Sequence, residues 1–105
     1  MLLRELSGCA TRHSYRFIIV PETIGALAYI ASHEQAVRAL TGGLVVATVA
    51  GPRRFGYKRT FRGDAVIDRA VRLYFRDLGL EFTEYPIDAN GSDERQYSTP
   101  GLMPV

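Results

Sequence analysis

The chain has 105 residues, a net charge of +2 and one cysteine. That length predicts a single domain, residues 1–105, burying roughly two thirds of the surface exposed in the unfolded chain, and 47% hydrophobic residues describe an ordinary globular protein. No stretch approaches the roughly twenty apolar residues of a membrane helix, Cys9 alone builds neither an internal disulfide nor a metal site, and so small a charge names no partner.

Leu2, Leu3 and Leu6 fall at helical spacing, and Gly8 ends that short turn. Glu5 comes too early for a signal peptide, so with one cysteine a reducing cytoplasm is expected. Thr11 to Ser14 is a polar connector, and a lone histidine there, His13, reads as a surface residue before it reads as a ligand. Tyr15 to Val20 is nearly continuous in apolar, β-branched residues, the pattern of a strand buried on both faces. Pro21 cannot donate a ladder hydrogen bond and stops it. From Thr23 the apolar positions Ile24, Leu27, Ala28, Tyr29, Ile30 and Ala31 follow a helical stripe. Glu22 therefore stands where a central strand hands over to a helix. Binding and catalytic groups collect at such junctions in open α/β sheets, although a carboxylate is also favoured there simply by the helix dipole.

Ser32 is placed to cap a second short helix carrying Ala36, Val37 and Leu40, closed by Gly42-Gly43, with His33 solvated at the junction. Gly43 to Ala50 reads as a second buried strand, and two such strands around a helix predict a parallel pair. Arg53 to Arg62 interleaves cations with Phe55, Tyr57 and Phe61. That is the composition of a nucleic-acid surface and also of an edge strand or long loop with its charges outward; the low net charge favours the second, so nucleic acid is not the expected partner. Asp64 to Leu78 is the clearest helix, with Val66, Ile67, Ala70, Val71, Tyr74, Phe75 and Leu78 as its stripe. Asp68 and Arg72 are spaced to pair within it, and Gly79 is its stop. Leu80 to Pro86 alternates as a strand with one wet face, and Asp88 to Gly101 has turn chemistry throughout.

Several motifs, taken together, carry a resemblance: His13-Ser14-Tyr15-Arg16-Phe17 with Pro21-Glu22-Thr23-Ile24-Gly25, Tyr57-Lys58-Arg59 with Arg62-Gly63-Asp64, Ile67-Asp68-Arg69-Ala70, and Gly91-Ser92-Asp93-Glu94-Arg95-Gln96-Tyr97 with Ser98 and Pro100-Gly101. In this order, over essentially the whole chain, they resemble the aminopeptidase-like proteins often associated with polysaccharide biosynthesis, relatives of the zinc aminopeptidases. The resemblance implies an α/β fold, part of a three-layer sandwich with a mixed, mostly parallel sheet and flanking helices, and a peptide-like ligand. It matches Glu22 to the carboxylate that serves as general base on a zinc-bound water, and Asp93 to a loop residue supporting the site as a hydrogen-bond acceptor.

The departures are as informative. Relatives are several times longer, and this chain resembles their middle; the His and Asp ligands they carry upstream and a late His ligand downstream have no counterpart in residues 1–105. Thr23 stands where the broader group has a second glutamate, and Val45 to Ala50 carries no carboxylate where that group has an aspartate. Glu22, Asp93, His13 and His33 do not assemble the three protein ligands of a catalytic zinc, so no metal or other cofactor is expected in this chain, although complete family members hold zinc. Two readings follow: a core fragment of an aminopeptidase-like enzyme, inactive alone, or a free-standing binding or oligomerising module derived from it. Too few helices cover the two expected strands, which predicts a homo-oligomer.

Overall fold

Phe55–Lys58 (β1) and Phe82–Tyr85 (β2) pair in parallel, Phe55 opposite Phe82 and Lys58 opposite Tyr85, and the helix Val66–Asp77 (α3) connects them. These elements belong to a computed structural model that describes residues 2–47, 51, 54–87 and 92–103. The remaining elements are Leu2–Ser7 (α1), Ile24–Arg38 (α2) and Asp93–Tyr97 (α4). The chain is thus a small α/β structure whose described residues hold one two-stranded parallel sheet.

The β1–α3–β2 unit is knit by aromatic rings and one carboxylate. Phe75 of α3 stacks on Phe82 at 4.7 Å and leans on Phe55 at 5.5 Å, so the ring packs against a residue pair set opposite by the ladder. Such ring pairs contribute roughly 0.5–1.5 kcal/mol each beyond their area. Beside them Asp68 is fully buried and accepts hydrogen bonds from the Tyr57 hydroxyl (2.7 Å), the Thr60 N–H (2.8 Å), the Thr60 hydroxyl (2.5 Å) and the Ala65 N–H (2.9 Å). This corrects the expected Asp68–Arg72 pair. At the third position of a helix a carboxylate reaches back to the N-cap N–H, and four donors outweigh one half-buried guanidinium. Arg72 instead grips Glu84 of β2 at 2.7 and 2.8 Å. The helix begins at Val66 rather than Asp64, with Ala65 as its N-cap. It ends as expected: Gly79 has φ 63°, its N–H donates to Arg76 O, and the Leu80 N–H donates to Phe75 O, a Schellman arrangement. Only part of the expected stripe is covered, however. Ile67, Val71 and Phe75 are half-buried, while Val66, Tyr74 and Leu78 are exposed.

The two helical segments expected over residues 23–40 run on as α2 but are separated by a kink at His33, whose backbone is not helical (φ -135°, ψ 29°). At this break the Ser32 hydroxyl donates back to the Ala28 carbonyl, a side-chain bond of the kind that bends a helix, rather than capping the segment that follows. His33 is exposed and lies flat on Tyr29, ring centres 4.6 Å apart. A second core forms where the chain returns to α2 near its end: Val37, Leu102 and Met103 are buried, with Tyr29, Ile30, Leu40 and Tyr97 around them. Of the polar loop expected over residues 88–101, residues 88–91 lie outside the described part; the remainder contains a short helix, α4, and leads into that core.

The largest correction concerns residues 15–20 and 43–47, expected as strands buried on both faces. Neither is a strand. Ile19 is 91% exposed, and Tyr15, Phe17, Leu44, Val45 and Val46 are exposed as well; residues 48–50 lie outside the described part. A strand is buried only if neighbours flank it, and β1 and β2 are paired with each other. The parallel strand–helix–strand unit is built from the next such stretch of chain instead. That unit uses the basic segment as an edge strand, with its cations facing carboxylates: Arg54 to Glu81 at 3.2 Å, Lys58 to Glu94 at 3.0 Å, Arg59 to Glu84 at 4.0 Å and Arg62 to Asp64 at 3.4 Å. Among the described residues no helix is long and apolar enough to cross a membrane.

Candidate functional site

The entry to α2 is built from a turn that side chains rarely adopt. Thr23 has φ 62° and ψ -67°, and the Ile24 N–H donates to the Glu22 carbonyl at 2.7 Å. This is a γ-turn centred on a β-branched residue, a strained conformation that persists only where its surroundings hold it. Gly25 is required just beyond. A Cβ there would lie 2.5 Å from Val20 Cβ and 2.9 Å from Pro21 Cδ, so glycine alone lets the first turn of α2 press against the incoming chain. The Gly25 N–H closes that contact on the Pro21 carbonyl at 3.0 Å.

The second half of the site arrives from 70 residues away. Asp93 Oδ1 accepts the Thr23 N–H at 2.7 Å, and the Ser92 hydroxyl donates to Glu22 Oε1. Sequence reasoning singled out Glu22 and Asp93, and the fold brings their surroundings together: Asp93 holds the backbone next to Glu22, and Ser92 holds its carboxylate. Glu22 is not a first-turn helix residue. It precedes the N-cap Thr23, and its carboxylate turns toward α4. The resemblance did not assign Ser92; the signal was its place before two carboxylates in an otherwise turn-forming stretch.

Ser92 is itself placed. Its N–H donates to Glu94 Oε1 at 3.1 Å, and the same oxygen receives Lys58 Nζ from the end of β1. Burial alone would raise the Glu94 carboxyl, but the Lys58 ammonium and the Ser92 N–H outweigh it and hold it below the usual range. At the base of β1, burial and the neighbouring Asp68 push the Tyr57 phenol up, so it stays a donor. Asp68 itself is held below its ordinary value: burial opposes the charge, and the bonds from Thr60, Tyr57 and Ala65 more than compensate. The Arg72 guanidinium does the same for Glu84.

His13 and His33 are exposed and take no part in this arrangement. Among the described residues no three His, Cys, Asp or Glu side chains come together as a metal-binding group. Glu22 and Asp93 already serve as hydrogen-bond acceptors for Ser92 and Thr23, so the donor set present does not fit a catalytic zinc, which takes three protein ligands. What the arrangement offers is an exposed, oriented carboxylate at a helix entry.

A family model described as a domain of unknown function, DUF4910, matches residues 1–105. The chain belongs to the DUF4910 family. A protein of Clostridium acetobutylicum, named as a polysaccharide biosynthesis protein with an aminopeptidase-like domain, is 38% identical over 105 residues. The match covers 99% of this chain and 24% of that relative, so this DUF4910 chain spans about a quarter of the curated relative's length. No solved structure matches it.

Proposed function

We propose that the chain is the part of an aminopeptidase-like hydrolase that carries its general base, Glu22, and that it has no peptidase activity by itself. The observation that carries this reading is the junction of Glu22 and Thr23 with Ser92 and Asp93, which fixes one carboxylate at the start of α2. The likeness to a relative with an aminopeptidase-like domain supports the reaction class, and the share of that relative covered supports a core fragment. Residues beyond this stretch of the relative then supply the zinc ligands, and strands of the same larger three-layer sandwich cover residues 15–20 and 43–47. A carboxylate so held accepts a proton from a nucleophile and returns it to a leaving amine; the substrate is peptide-like.

Two measurements test this. Dialysed chain is expected to hold no stoichiometric zinc and to leave aminoacyl arylamides intact; stoichiometric zinc that is lost in Glu22→Ala would overturn the reading. Replacing the matching quarter of the Clostridium acetobutylicum relative with residues 1–105 should preserve arylamide hydrolysis by that relative, and Glu22→Gln in the hybrid should abolish it.

The exposed side chains of Tyr15, Phe17, Ile19, Leu44 and Val46 favour a second reading for the isolated chain. Apolar surface of that extent is rarely left open on a monomer, and a second copy covers it in a homodimer. Free, exposed Cys9 supports a reducing, cytoplasmic setting.

A further inference from the structure

Among the described residues the Glu22 carboxylate is held by the Ser92 hydroxyl, and the backbone that aims it is held in a conformation it would not keep alone. We propose that Ser92 and Asp93 form a two-point clamp that positions Glu22, braced on β1 through Glu94 and Lys58. The proposal rests on Glu22 being the base.

Thr23 is the pivot. With φ 62° it lies in the left-handed region, where a β-branched side chain is strained. Two hydrogen bonds keep it there: Ile24 N–H to the Glu22 carbonyl on one side and Thr23 N–H to Asp93 Oδ1 on the other. The turn sets the direction in which the Glu22 side chain leaves the chain, so Asp93 governs that direction without touching the carboxylate. Ser92 then fixes the end of the side chain through Oε1. Ser92 takes Oε1, and Oε2 is the oxygen we assign to take the proton.

A clamp is only as firm as its mounting. The Ser92 N–H is tied to Glu94 Oε1, and Lys58 Nζ reaches that oxygen from the last residue of β1, 36 residues earlier in the chain. β1 is in turn paired along its whole length with β2. The strained turn, the carboxylate and the sheet thus form one connected path, as positioning residues on rigid elements require.

The test uses the whole chain and nuclear magnetic resonance. In Asp93→Ala the Thr23 amide should exchange at least about tenfold faster, the loss expected for a hydrogen bond to a charged acceptor, and Asp93→Asn should recover part of the protection. In Ser92→Ala the side-chain carboxyl carbon resonance of Glu22 should move, and Ser92→Thr, which keeps the hydroxyl, should return it. Unchanged Thr23 exchange together with an unmoved Glu22 resonance would overturn the clamp. In the hybrid enzyme Ser92→Ala should lower kcat with KM unchanged, and an equal loss in kcat and in bound substrate would also count against it. A hybrid inactive in every form would refute Glu22 as base, and the amide and carboxyl signals would still decide the clamp.

Discussion

Asp68→Ala removes the one fully buried charged side chain among the described residues, and its cost can be worked from the donors it leaves behind. The Tyr57 hydroxyl belongs to a residue only 7% exposed, so it loses its partner without gaining water. An orphaned buried donor costs about 1–3 kcal/mol. The Thr60 N–H, the Thr60 hydroxyl and the Ala65 N–H are part-buried and rehydrate in part, at roughly 0.5–1 kcal/mol each. The expected total is about 2.5–6 kcal/mol, a large share of the roughly 5–15 kcal/mol that holds a domain folded. Urea denaturation at pH 7 followed by circular dichroism measures it. The pH dependence supplies a second check. Asp68 ionises below its ordinary value in the folded chain, so its contribution is fully present above the unfolded carboxylate range and is lost as pH falls through the lower folded value. The gap between wild type and variant should therefore be constant from about pH 5 upward and narrow below about pH 4, near the unfolded Asp value. A loss under about 1 kcal/mol at pH 7, less than even a single orphaned donor costs, or a gap independent of pH down to about pH 2, well below that unfolded value, would refute the argument.

Three further outcomes follow from the same geometry. Gly25→Ala places a methyl in the contact with Val20 and Pro21, and should cost about 2 kcal/mol or more while exposing the Thr23 amide to exchange. Heparin or oligonucleotide binding should be weak and vanish at moderate salt, since Arg54, Lys58, Arg59 and Arg62 face carboxylates; submicromolar affinity at physiological ionic strength, lost in Arg53→Ala with Arg54→Ala, would reverse that reading. Light scattering at micromolar concentration should give a dimer, and Ile19→Asp should return it to monomer; a wild-type monomer at every concentration would exclude the homodimer.

Elements whose signals are local were legible in the sequence. The helix α3 announces itself by a stripe and by Gly79, whose positive φ completes its end, and β2 by alternation beside it. The basic segment contributes the strand β1, and its cations find carboxylates on β2 (Glu84), just before it (Glu81), on α4 (Glu94) and in the loop ahead of α3 (Asp64). Residues 15–20 and 43–47 misled because burial belongs to a strand's neighbours and not to its own composition. Asp68 misled for a related reason: spacing to Arg72 is visible in sequence, whereas the turn that aims Thr60 and Ala65 at the same carboxylate is not. For the site, the Pro-Glu-Thr-Ile-Gly junction and the Ser-Asp run each stood out, and resemblance named one residue in each. Their meeting across 70 positions, and the strained turn that meeting sustains, had no sequence signal of their own.

That separation along the chain has a kinetic side. Tyr57 and Asp68 are 11 residues apart, so the strand–helix–strand unit assembles by closing short loops. Joining Ser92 to Glu22 closes a loop of 70, which carries about 1.6 kcal/mol more closure entropy by the logarithmic scaling of loop length. The unit around Asp68 is therefore the early-forming part of the molecule and the clasp around Glu22 the late one. Reversed in time, the same order makes the junction of Glu22 and Ser92 a contact that opens before the sheet does.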